Sequence, residues 1–221
     1  RLRASIVVPY EDAAASAAEI RKRAGDNRFC QVLLMSRTSE PLGRRRYWPI
    51  YEAAAEVGLP IGIHAFGFSG NAMTNGGWPS FYVEEVQEHA TSAQAQVASF
   101  VVEGVFERFP TLKILMIECG FGWMPSLGWR LDNNWKRLRD EVPHLKRAPS
   151  EYMRDHVYVS TDRVDVSPDH VHVFTDHAAV SPYRVHLFTD TAPVSPDLLD
   201  HVHFSTDCVP VFTPLILSLS A

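Results

Sequence analysis

The arrangement in this sequence best suited to chemistry is a histidine closing an apolar strand, with a loop of glycines and aromatics behind it. Pro60 to His64 (PIGIH) is a run of small and β-branched residues with a proline before it and a Gly-rich segment after it, which gives it the length of a buried strand rather than a helix. His64 then stands at the strand's C-terminal end. Gly67, Gly70, Gly76 and Gly77 let backbone approach a ligand closely, and Phe66, Phe68 and Trp78 wall a pocket there. In an α/β barrel this rim is where sites are built. Taken alone, His64 reads more ordinarily as a hydrogen-bonded core histidine.

A second set of histidines lies near the C-terminus. Four segments align: VYVSTDRVDVSPDH from Val157, VHVFTDHAAVSPYR from Val171, VHLFTDTAPVSPDL from Val185 and VHFSTDCVPVFTPL from Val202. The first three start 14 residues apart, and the fourth is delayed by Leu199, Asp200 and His201. Residues i and i+2 of a strand share a face, so His170 with His172 and His201 with His203 form pairs able to chelate zinc. Copies of one template generate such pairs without selection for a metal, so the signal is weak. A strand, a crossover helix and a return need about 30 residues. These repeats therefore predict strand-and-turn units, an antiparallel meander or short solenoid, and not barrel units.

The elements that must position His64 follow from the rest of the pattern. Ser5–Val8 is a β-branched run stopped by Pro9, and Asp12 offers an N-cap to an Ala-rich helix ending at Gly25. Phe29–Met35 predicts a second strand, 37–46 a loop, and Tyr47–Val57 a helix closed by Gly58. The span 80–109 predicts one long helix with Val83, Val86, Val97, Phe100, Val101 and Val105 as its inner stripe and Pro110 as its stop. Leu112–Ile117 reads as a strand, Met124–Glu141 as a helix, and Val157–Ser160 as a fifth strand. Strands alternating with helices predict parallel βαβ units. No GxGxxG or GxxxxGK[ST] follows any strand, which removes nucleotide-binding open sheets and favours a barrel.

Composition bounds the remaining possibilities. The 221 residues are 46% apolar, enough for a sizeable core. The net charge of −5 leaves no nucleic-acid footprint, and no apolar run has the length of a membrane span. Cys30, Cys119 and Cys208 are far apart without CxxC spacing, which predicts reduced thiols and a cytoplasmic protein. From Val157 onward eight Asp face Arg163 and Arg184, a balance of −6, and seven of the ten histidines lie at or after His156. The expected division is a β/α barrel portion over 1–156 and a repeat tail over 157–221, the tail standing for remodelled last barrel strands.

The segments EPLGRRRYWPIYEAAAEVGLPIGIHAFG, GVFERFPTLKILMIECGFGWMPSLGWRLDNNWKRLRDEVPHL and EYMRDHVYVSTD resemble the amidohydrolase-related TIM-barrel family that includes aminocarboxymuconate-semialdehyde decarboxylase and its metal-dependent hydrolase relatives. The resemblance implies an incomplete (β/α)8 barrel with a divalent metal, most commonly zinc, at its C-terminal mouth. It makes His64 the middle-strand metal ligand and Asp207, in HFSTDCVP, the last-strand ligand with a catalytic role, with Asp162, Asp176 and Asp190 as lookalikes. Glu118 stands where the decarboxylases carry a catalytic histidine, and a carboxylate there can act as general acid or base. It can equally be a helix N-terminal carboxylate held by the dipole. The family's first-strand Asp-x-His or His-x-His has no counterpart before Ser5, so the chain reads as opening at the family's second or third strand.

The implied function is a metal-dependent hydrolase or decarboxylase acting on a small carboxylate, amide or lactone, in a pocket shaped by Phe66, Phe68, Trp78 and Trp123. The competing reading is an inactive barrel portion without a complete metal site. Arg44, Arg45 and Arg46 could hold a substrate carboxylate, or form a solvated loop. The expected partner is a small molecule, with no nucleic acid and no membrane, and a homo-oligomer is compatible with all of this.

Overall fold

The computed structural model describes residues 2–67 and 72–160, with the side chains of Phe66 and Gly67 excepted. Five parallel strands form one sheet in strict chain order: β1 (Ala4–Val7), β2 (Phe29–Arg37), β3 (Ile61–Gly67), β4 (Ile114–Ile117) and β5 (Val157–Val159). Between them lie α1 (Ala13–Lys22), α2 (Trp48–Val57), α3 (Tyr82–Val102), α4 (Val105–Arg108), α5 (Trp123–Arg137) and α6 (Pro149–His156). This is the parallel β/α order of a TIM-type barrel. No helix among the described residues is long and apolar enough to cross a membrane.

Local signals set the helix ends. The Asp12 carboxylate accepts from the Ala15 amide at 3.0 Å to start α1, and Gly58, at φ 71°, closes α2 in the left-handed conformation. The helix expected over 80–109 is instead broken. Gly104 takes φ 79°, and α4 begins anew after it. Val83 does not join the inner stripe. It sits in the first turn of α3 and is 67% exposed, whereas Val97, Phe100, Val101 and Val105 are buried. The helix expected to reach Glu141 stops at Arg137 and passes into one 3₁₀ turn, Arg139–Glu141.

One face of the sheet is sealed by the helices. Ile6, Val32, Leu34, Ile61, Ile63, Ile114, Met116 and Val159 pack there against Ile20, Ile50, Phe100 and Met153, each such side chain contributing about 1.5–3 kcal/mol by leaving water. The alternate positions, Leu33, Met35, His64, Leu115, Ile117 and Tyr158, are only partly buried and form the face that turns to the barrel interior.

The loop between β2 and α2 is pinned to α3 through a close approach at Gly43. Its amide donates to Ser99 Oγ at 3.0 Å, its carbonyl accepts from Trp48 Nε1 at 2.9 Å, and a Cβ there would stand 2.2 Å from the Ser99 carbonyl oxygen. Gly43→Ala is therefore expected to cost about 1–3 kcal/mol or more, read as a lowered urea midpoint at constant slope.

The lower, N-terminal end of β4 and β5 carries a polar cleft of about 480 Å³. Tyr152 donates to Glu107 and accepts from the Lys146 amide, Arg147 pairs with Asp155 at 2.6 Å, and Lys113 donates to the Asp155 carbonyl. His156 donates through Nδ1 to the Leu112 carbonyl at 2.8 Å and stacks on Phe106 at 4.5 Å. Burial pushes its pKa below the ordinary 6.5, with Lys113 and Arg147 adding to the shift and the Leu112 bond and Asp155 opposing it. As pH falls below about 6.5 the unfolded chain takes a proton that folded His156 refuses, so stability drops until the folded pKa is passed. The urea midpoint should be lower at pH 5 than at pH 7.5, and His156→Gln should shrink that difference.

Candidate functional site

β3 runs three residues past His64, to Gly67, so His64 lies within the strand and not at its end as expected. The extension exists because β2 continues alongside it: Met35 pairs with His64 and, after an irregularity, Arg37 with Gly67. On the other side His64 pairs with Ile117, the last residue of β4. Cross-strand partners share a face, and simple alternation would send the next residue, Glu118, to the other one. Glu118 instead leaves the strand with φ 59°, the left-handed region that a non-Gly residue enters at a cost of about 1–2 kcal/mol. Its Oε2 comes within 3.0 Å of His64 Nε2.

A local scaffold holds this turn. Cys119 directs its thiol to the Ile117 carbonyl at 3.1 Å, Gly120 follows with φ 65°, and Trp123 Nε1 donates to the carbonyls of Cys119 and Gly120 at 2.8 and 3.0 Å. Trp123, expected to wall a pocket, is thus a buried member of the core that ties α5 to the Glu118 turn. Both polar side chains stay accessible, His64 at 23% and Glu118 at 39%. An imidazole nitrogen and a carboxylate at this spacing can exchange a proton or together hold a hard or borderline cation.

Trp78 lies at the same rim, largely exposed, with the Arg37 guanidinium 5.4 Å from its ring centroid. The arginines expected to compete for a substrate carboxylate are engaged elsewhere. Arg44 pairs with Glu40 and Glu103, Arg46 with Glu11 and Glu40, and Arg45 lies over the Trp48 ring. Arg37 was not singled out from the sequence, because a lone Arg after FCQVLLMS reads as the first loop residue; the signal would have been its place at the end of an apolar parallel strand. The side chain of Phe66 is not described, and Phe68, the repeats beyond Ser160 with their histidine pairs, Asp162, Asp176, Asp190 and Asp207 lie outside the described residues.

A divalent metal fits the donors only in part. His64 Nε2 and Glu118 Oε2 at 3.0 Å have the separation of two neighbouring ligands each about 2.1 Å from one ion. Zinc needs three or four ligands, and no group of three or more His, Cys, Asp or Glu side chains able to hold an ion occurs among the described residues.

A sheet of sequential parallel strands under helices, with a histidine and a carboxylate meeting at its C-terminal side, is the arrangement of a β/α barrel that builds its site at the strand ends. The family model described as Amidohydrolase matches residues 1–211, and the chain belongs to that family. Among solved structures it is similar to 5-carboxyvanillate decarboxylase LigW from Sphingomonas paucimobilis (24% identity, TM-score 0.70, 96% of this chain and 67% of that one). It is also similar to an amidohydrolase from Mycobacterium avium subsp. paratuberculosis K-10 (24%, TM-score 0.61, 76% and 44%). A third is the dihydroxybenzoic acid decarboxylase from Polaromonas sp. JS666, solved with manganese and the inhibitor 2-nitroresorcinol (22%, TM-score 0.58, 90% and 61%). At these identities the likeness is one of fold, and the chain spans between 44% and 67% of these three proteins. No curated protein matches it.

Proposed function

We propose that the chain carries the middle-strand part of the active site of a metal-dependent hydrolase or decarboxylase acting on a small carboxylate, amide or lactone. The observation that carries this reading is the approach of His64 Nε2 and Glu118 Oε2 to 3.0 Å on the C-terminal side of adjacent parallel strands. His64 would hold a divalent ion, with Asp207 as a further ligand and Glu118 beside it. Zinc fits an imidazole donor and manganese the carboxylates, and manganese is the ion of the Polaromonas relative. Such an ion, when bound, lowers the pKa of water or polarises a carbonyl or carboxylate.

Glu118 is the proton carrier in either reaction. In hydrolysis its carboxylate takes a proton from the attacking water as the new C–O bond forms, then returns it to the leaving nitrogen or oxygen as the old bond breaks. In decarboxylation its acid form protonates the ring carbon, and CO2 departs as the electron pair of the C–C bond returns to the ring. Where no ion is bound, His64 Nε2 meets the carboxylate directly. Trp78, with Phe66 and Phe68, would shape the pocket around a planar or cyclic substrate, and the protein would act in the cytoplasm on a small molecule.

The test is metal analysis of the purified chain together with a screen of small amides, lactones and aromatic carboxylates. Stoichiometric metal and turnover of one class are expected. Neither would favour the second reading, an inactive barrel portion, which draws support from there being two converging donors among the described residues.

A further inference from the structure

Arg37 ends β2 on the same side of the sheet as His64 and Glu118. It lies two residues beyond Met35, the register partner of His64, and after an irregularity in the pairing meets Gly67, so it stands at the C-terminal end of β2 beside the end of β3. It is only 7% exposed, yet its donors are incompletely used. Nη2 donates to Glu85 Oε1 at 2.8 Å, Trp78 covers the guanidinium, and Nε has no hydrogen-bond partner among the described residues. Glu85 is a partner that can leave, since its side chain is 29% exposed on the first turn of α3 and can re-enter water.

A buried guanidinium with an idle donor in its fork is a poor structural ion pair, because burial removes the water that would satisfy Nε. It is a good receptor for a second carboxylate, which a guanidinium grips through two N–H groups. We propose that Arg37 is the binding residue for a substrate carboxylate, with Glu85 as the counter-ion that the substrate displaces and Trp78 as the flat surface on which a planar acid lies. This deepens the reading of the His64–Glu118 mouth as an active site and rests on it: it selects planar, aromatic-type carboxylates over neutral amides and lactones.

The test is equilibrium binding by calorimetry, which needs no turnover, with 2,6-dihydroxybenzoate and its carboxylate-free counterpart resorcinol as probes. The purified chain is expected to bind the acid and to prefer it to resorcinol. Arg37→Met should weaken the acid by about ten- to a hundredfold while leaving resorcinol unchanged, and Arg37→Lys, which keeps the charge but not the fork, should recover only part of the loss. Glu85→Gln should tighten the acid by removing its competitor, and this variant decides the matter even where Arg37→Met fails to fold. No binding of the acid by the parent, no preference over resorcinol, equal weakening of both probes in Arg37→Met, or unchanged or weaker acid binding in Glu85→Gln would each overturn the proposal. A chain that binds the acid through Arg37 but turns over nothing overturns the catalytic reading alone. Turnover of a carboxylate with KM unchanged in Arg37→Met overturns the Arg37 assignment alone.

Discussion

His64→Ala is expected to strip the purified chain of stoichiometric divalent metal and to lower turnover of its substrate by about a thousandfold or more, because the ion and the proton carrier both depend on that imidazole. His64 contacts Glu118 directly and lies beside Met35 and Ile117 in the sheet, so the loss extends to the geometry of the carboxylate as well as to the ligand count. Replacing His170 and His172 together should leave both metal content and rate unchanged. The reverse pattern would move the site into the repeat segment, and tight metal binding that survives both changes would mean that neither set holds it. Elemental analysis after dialysis, run beside the rate assay, reads all three outcomes.

Glu118 offers a sharper test, since its role and its backbone pull in opposite directions. Glu118→Gln keeps the shape but not the proton transfer, and a loss of about 10²–10⁴ in kcat is expected with little change in Tm. Glu118→Gly should lose as much activity while gaining stability. Its φ of 59° is costly for a side chain and accessible to glycine, so a gain of about 0.5–1 kcal/mol, or about 1–4 °C, is expected. A destabilised Gly variant would show that the Glu118 side chain holds the turn together. An active Gln variant would end its role as acid or base.

The strands were readable because each is a short apolar run between turn residues, and the helix caps because Asp12 and Gly58 have no other local use. Where the reading failed, the deciding contact was distant. Gly104 breaks the long helix and leaves room for His144, whose ring would lie 2.8 Å from an added Cβ and whose Nε2 meets the Val102 carbonyl at 2.7 Å. Nothing near Gly104 in sequence announces this. Helix α6 was missed although Pro149 at its first turn signals a start, because 8 residues give too little periodicity to detect. The meeting of His64 with Glu118 could be expected only from family resemblance. Arg37 was passed over because its value lies in an unused nitrogen, and that is a property of the packed neighbourhood rather than of residue type.

The strict order β1-β2-β3-β4-β5 shapes how the chain can be made on the ribosome. Each of the described strands finds its first partner in the strand already synthesised, so this part of the sheet can grow at one moving edge as the polypeptide emerges. The pairing of Ile114 with Ile61 closes the longest of these loops, through α3 and α4, and makes β4 the step at which nascent chains wait longest. The Glu118 turn follows that step directly, so the His64–Glu118 contact can form only once the slowest strand has docked.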